Sequence, residues 1–167
     1  MKDCCCAHLA GTAGMPWPRP LGILWRDPLF LLALLAGPLA WWLLLGPPDP
    51  AAGPGVAGRP LALAMVAGLY PVLEEWLFRG LIQPQLLRHR RGRRSVLGIS
   101  AANGLTSLLF AAAHLFSQPL PWAAAVMVPS LVFGAFRDRY RSVVPAIILH
   151  CFYNVGFFLW PAAQGGL

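Results

Sequence analysis

The sequence predicts an all-α, polytopic membrane helix bundle of about five transmembrane helices with a cytoplasmic N-terminus. Three observations carry that expectation. Apolar residues make up 57% of the 167-residue chain and charged residues only 11%, against roughly 25% charged in an average soluble domain. The apolar residues fall in five runs near the length of a membrane span. The basic residues gather in the gaps between those runs.

Residues 1–28 read as a cytoplasmic tail: Pro16, Pro18 and Pro20 interrupt it, and it lacks the early apolar core of a signal peptide. Cys4, Cys5 and Cys6 are adjacent and make no CxxC spacing. They are expected as reduced thiols, with lipidation or a weak metal site with His8 as the sharper alternatives. The membrane-embedded domain spans 29–160. Its first run, 29–45, is short, but Pro28 and the flanking aromatics extend it. The Pro/Gly/Ala linker 46–58 follows. The second run, 60–87, is apolar except for Glu74, Glu75, Arg79 and Gln83, and the arginine-rich loop 88–94 ends it. The third, 95–116, is mildly apolar in its first half. The fourth, 122–136, contains Pro129 and is expected to be tilted, kinked or partly re-entrant; the loop RDRYR ends it. The fifth is 143–160, and 161–167 form a short C-terminal tail.

Orientation follows from the basic residues. With the N-terminus inside, eleven of the thirteen are cytoplasmic, Arg59 alone lies outside, and Arg79 lies within a span. Trp41, Trp42, Trp122 and Trp160 then fall at the outer ends, and Trp17 and Trp25 near the inner face, as interfacial belts require. The net charge of +7 is therefore explained by membrane topology, and no nucleic-acid partner is expected. The expected setting is an integral membrane protein, with the lipid bilayer as a partner.

The polar residues inside the spans are the candidate functional ones. A charged side chain at a helix centre costs about 2.5–3.5 kcal/mol on insertion scales, and such residues usually face a protein interior or a wet cavity. The only two glutamates are adjacent, at the middle of the second run. Glu75 and Arg79 stand four apart with the acid first, the favourable helical ion-pair order. Glu74 points about 100° away around the helix and is left over for chemistry. The bland alternative is that all three form a polar network that glues helices together. The third run carries His114 with Phe110 one turn before it, and Asn103, Ser107 and His114 form a polar stripe. The fifth carries His150 and Asn154 on one face. One carboxylate and two imidazoles on three helices can activate water. The glutamate takes the proton. The imidazoles either bind a metal, with Glu74, His114 and His150 as its candidate ligands, or stabilise an oxyanion. Asn154 is placed to orient a substrate carbonyl or to hold the His150 tautomer. A serine site at Ser107 lacks an acid partner.

Glu74-Glu75-Trp76-Leu77-Phe78-Arg79 matches EExxxR, Phe110 to His114 matches FxxxH, and His150 to Asn154 matches HxxxN. In this order, on successive membrane helices over about 60–160, they resemble the CAAX-protease and bacteriocin-processing family of intramembrane endopeptidases. That family includes the type II CAAX prenyl endopeptidases. The resemblance implies peptide-bond hydrolysis in a membrane-tethered protein. It implies Glu74 as the water-activating group, Glu75 and Arg79 as its supporting pair, and His114, His150 and Asn154 as the remaining site residues. Its cofactor is either a divalent metal such as zinc or none. The compact chain resembles short bacterial members paired with substrates that carry a C-terminal sorting tail, a hydrophobic helix followed by basic residues.

Two other readings compete. One is a non-catalytic membrane binding or immunity protein that uses the same polar core. The other is a small transporter with a proton relay through Glu74 and His114, which the lack of an inverted repeat disfavours. Residue counting sets His114 and His150 at different depths, so convergence requires tilted helices or a third helix that begins later, near 98–102.

Overall fold

The computed structural model describes residues 19–47 and 58–160. The expectations for Cys4, Cys5, Cys6, His8 and Trp17, for most of the linker and for the C-terminal tail lie outside them. The described residues form an all-α membrane bundle with one two-stranded hairpin.

Helix α1, Pro28–Leu45, starts where Asp27 caps it: the Asp27 carboxylate accepts from the Leu29 N–H at 3.1 Å, and Pro28 takes the first helical position. Gly46, at φ +76°, ends it. Helix α2, Pro60–Arg88, is the long one, and two π-helical stretches, Met65–Leu69 and Trp76–Ile82, widen its turns. Strands β1, Ser95–Val96, and β2, Ile99–Ser100, then pair antiparallel across Leu97 and Gly98, both at positive φ. Helix α3 is Ala101–His114, capped by the Ser100 hydroxyl, which accepts from the Asn103 N–H at 3.0 Å. Helix α4, Leu120–Tyr140, breaks at Val126, three residues before Pro129, whose missing N–H leaves a gap in the helical ladder. Helix α5 is Val144–Leu159.

Three of these helices, α1, α2 and α4, are long and apolar enough to cross a membrane; α5 is apolar but shorter. The later start foreseen for the third helix, near 98–102, is met, and the end of the fourth helix differs from expectation. The third helix begins at Ala101, because the Leu97–Gly98 turn and the Ser100 cap commit residues 95–100 to a hairpin. At 1.5 Å per residue, α3 is then only about 20 Å long. The RDRYR segment is the last turn of α4 rather than a loop, and Arg141, at φ +50°, ends it. The expected kink in the fourth helix is the break at Val126.

Successive helices alternate in direction. At one end Asp27 accepts from Arg139 Nε and Tyr140 Oη, both at 2.8 Å. There too Asp138 accepts from Gln83 Nε2 at 2.8 Å and Ser100 Oγ at 2.6 Å. This end carries the arginine clusters. At the other, Trp160 Nε1 donates to the Gly46 carbonyl at 3.0 Å and packs on Trp41. Phe30, Phe133, Phe136, Tyr140 and Leu149 form the core between α1, α4 and α5. Leu35, Leu43, Leu44 and Leu61 are exposed, as lipid-facing residues are. Small residues admit close neighbours: a side chain at Gly134 would collide with the Asn103 amide, and one at Gly156 with the Trp41 indole.

Candidate active site

The Glu75–Arg79 ion pair forms as the four-residue spacing predicts, at 2.9 Å, with both side chains fully buried. A buried charge must be paired and hydrogen-bonded. Arg79 Nη2 accordingly donates to the Ser130 carbonyl at 3.0 Å and hydroxyl at 2.6 Å, and its guanidinium lies 4.5 Å over the Phe110 ring. Arg79 therefore ties α2 to α4 across α3. One turn further along α2, Gln83 donates to the Gly134 carbonyl at 3.0 Å as well as to Asp138. The helix turns to π geometry at Trp76, immediately after the glutamate pair, a distortion often found at functional sites.

Glu75 does more than neutralise Arg79. Its Oε1 also accepts from His150 Nδ1 at 2.8 Å, across 75 residues of sequence. That bond holds His150 in the tautomer with its proton on Nδ1 or in the imidazolium form, the role foreseen for Asn154. Asn154 instead donates from Nδ2 to the Val66 carbonyl at 2.8 Å, within the first π-helical stretch of α2. The His150 ring stacks on Phe133, centroids 5.1 Å apart, and meets the edge of Phe110. Its other nitrogen, Nε2, lies 3.7 Å from Glu74 Oε2.

Glu74 is the less buried acid, its side chain about one-third exposed at 36% against 0% for Glu75. It faces a cavity of about 340 Å³ whose walls include His114, His150 and Asn154. The four residues expected to converge thus line one space, and the late start of α3 removes part of the depth mismatch. His114 Nδ1 lies 2.9 Å from the Phe110 carbonyl; a carbonyl only accepts, so Nδ1 carries the proton and the lone pair of neutral His114 sits on Nε2.

The Asn103–Ser107–His114 stripe divides. Ser107 donates to Asn103 Oδ1 at 3.1 Å, and Asn103 donates to the Leu131 carbonyl at 2.9 Å. Both are fully buried against α4 and neither lines the cavity. Sequence reasoning missed Ser130, Phe133, Asp138 and Tyr153. A signal existed for some of them. Gln83 continues the four-residue ladder of Glu75 and Arg79, and Ser130, Phe133, Gly134, Arg137 and Asp138 share one helical face. Nothing in the sequence singled out Tyr153, which donates to the Ala33 carbonyl at 2.6 Å and forms a cavity wall.

Among the described residues, no three His, Cys, Asp or Glu side chains are grouped to hold a metal ion. His150 bonds Nδ1 to Glu75 and turns Nε2 toward Glu74, an arrangement that serves either an N–H donor at Nε2 or, with Nε2 deprotonated, a metal ligand.

A family model described as type II CAAX prenyl endopeptidase Rce1-like matches residues 56–156, more than half of the chain. No curated protein and no solved structure matches. The matched segment runs from just before α2 nearly to the end of α5 and holds every residue assigned to the site.

Proposed function

The chain belongs to the Rce1-like family of type II CAAX prenyl endopeptidases, and on that premise we propose that it hydrolyses a peptide bond of a membrane-associated protein with Glu74 as the general base. The observation that carries this reading is the pairing of the two acids. Glu75 is engaged by Arg79 and His150, whereas Glu74 faces the cavity with His114 and Asn154.

In this reading a water molecule held by Glu74 and the lone pair of His114 Nε2 gives its proton to Glu74. Its oxygen adds to the substrate carbonyl carbon. The oxyanion is met by the Nε2–H of protonated His150 and by the Asn154 amide N–H that Val66 does not use. Glu75 stabilises that imidazolium through Nδ1, and Arg79 pairs with Glu75 on the same oxygen. Glu74 then delivers its proton to the amide nitrogen as the C–N bond breaks. Glu74, His114, His150 and Asn154 stand in the cavity wall, Glu75 and Arg79 stand behind it, and no step in this reading requires a metal. The substrate in this reading is a membrane-tethered protein that carries a C-terminal sorting tail. The host membrane is a bacterial inner membrane.

Replacing Glu74 with Gln keeps size and removes the base. Purified Glu74→Gln in vesicles should insert and melt like the parent but fail to process a co-reconstituted substrate. Full processing by that variant would instead favour a binding protein built on the same core. A chelator should leave the parent active; activity lost on chelation and restored by zinc would replace the glutamate mechanism with a metal-dependent one.

A further inference from the structure

The cavity is one-sided along the bundle axis. From Glu74 and His150 it runs past Val66 and Tyr70 on α2 and Asn154 and Phe158 on α5 to Ser117 and Gln118. The last two lie in the exposed turn between α3 and α4. These residues lead toward the end where Trp160 bonds to Gly46.

The other side is shut by successive layers of buried polar groups. Beneath Glu74 lie the Glu75–Arg79–Ser130 bonds, then Gln83 on the Gly134 carbonyl and Asp138. Arg137 Nε donates to the Arg79 carbonyl at 3.1 Å, and Ser100 closes on Asp138. Glu75, Arg79, Gln83 and Ser130 are all fully buried and none lines the cavity. The shut end is the arginine-rich one: Arg19, Arg26, the five arginines of 88–94, Arg137, Arg139 and Arg141 belong to it, against Arg59 alone at the open end. A basic excess of that size marks the cytoplasmic side.

We propose that this protein cleaves on the side of the membrane away from the cytoplasm. The scissile segment reaches Glu74 from the outer face, past Gln118 and Tyr70. The substrate class is then exported or membrane-anchored proteins that present an unfolded stretch at the outer end of their anchor. A chain terminus held at the cytoplasmic face, a lipidated one included, would have to displace the Glu75–Arg79–Gln83–Asp138 stack to reach the same carboxylate. The assignment rests on Glu74 as the working base, but its test does not.

Single cysteines are introduced into a chain whose four native cysteines are replaced by serine, and a membrane-impermeant maleimide is applied to spheroplasts and to inverted vesicles. Gln118→Cys on the rim and Tyr70→Cys in the cavity should label in spheroplasts and not in inverted vesicles. Arg91→Cys should do the reverse. Labelling of Tyr70→Cys from the cytoplasmic side, alone or as well, would overturn the proposal. If the cysteine-free chain does not fold, an alkaline phosphatase fused after Leu167 serves instead. It should be active, and an inactive, stably made fusion overturns the orientation. Outside labelling together with full processing by Glu74→Gln would sink the hydrolase reading and leave the topology standing; cytoplasmic labelling with an inactive Glu74→Gln would do the opposite.

Discussion

Two buried carboxylates in this protein are bound by an arginine and a second side chain, and they are finished differently. Asp27, at the arginine-rich end, uses both oxygens: Oδ1 accepts from the Leu29 N–H at 3.1 Å, and Oδ2 from Arg139 and Tyr140, both at 2.8 Å. Glu75, in the middle of the bundle, takes Arg79 and His150 on one oxygen and leaves Oε2 without a partner among the described residues. Beside Glu75 stands a second acid, Glu74, with a cavity in front of it. A saturated carboxylate fixes helices to one another. An incompletely saturated pair keeps capacity for chemistry, at a cost in stability that the rest of the bundle must cover.

The contrast can be broken by substitution, and the largest effect belongs to the acid that faces the cavity. Glu74→Gln should lower processing by about 10²- to 10⁴-fold, the usual contribution of a general base, with no loss of melting temperature. Arg79→Met leaves Glu75 buried without its countercharge. Breaking one partner out of such a pair costs about 3–5 kcal/mol, so the variant should lose most of its folded yield in detergent, and activity with it. If Arg79→Met folds normally, the network is not what holds α2 to α4. Asp27→Asn keeps the shape and weakens bonds to a charged group, worth about 1.5–3 kcal/mol. Its unfolding midpoint should fall while the specific activity of the folded fraction is unchanged. Ser107→Ala removes one neutral hydrogen bond, about 1 kcal/mol. It should leave processing intact, since Ser107 is turned to Asn103 and not to the cavity.

Acid sharpens the same comparison. Burial pushes the Asp27 carboxyl up, but its hydrogen bonds from Arg139, Tyr140 and the Leu29 N–H outweigh that and hold it below its ordinary value. A carboxyl depressed in the folded state contributes stability that is fully present above its unfolded value, about 3.9. That stability is lost as pH falls through the lower folded value. The parent should therefore lose more stability than Asp27→Asn when both are acidified below about pH 4. Equal losses would mean the clamp does not depend on charge.

Much of this was legible in the sequence, for definite reasons. Charged residues rarely enter a membrane without a use, so Glu74, Glu75, Arg79, His114 and His150 stood out against leucine and alanine. The Glu75–Arg79 bond was readable because four-residue spacing on a helix is a local fact. The partners of His150 and Asn154 were not, since Glu75 is 75 residues from one and Val66 is 88 residues from the other. Ser130 and Phe133 escaped notice because serine and phenylalanine are ordinary in apolar helices. Val96 and Ile99 look like span residues, and the turn at Leu97 and Gly98 overrides them, so the third helix takes the later start near 98–102. Asp138 was hidden among arginines, and only the extension of α4 to Tyr140 turns it inward.

The Asp27 clamp also sets an order of events during synthesis. Arg139 follows Asp27 by 112 residues, and Tyr153 follows its acceptor Ala33 by 120. At a translation rate of about 5–20 residues per second, α1 spends several seconds in the bilayer before either partner exists. Its first helical turn must wait at the membrane surface with Asp27 Oδ2 short of Arg139 and Tyr140, and water can solvate that oxygen there as it could not at mid-membrane. Both bonds close only when the last helices arrive. Helix α1, which lies outside the matched family segment, enters the bilayer before the other described helices and is fastened after them.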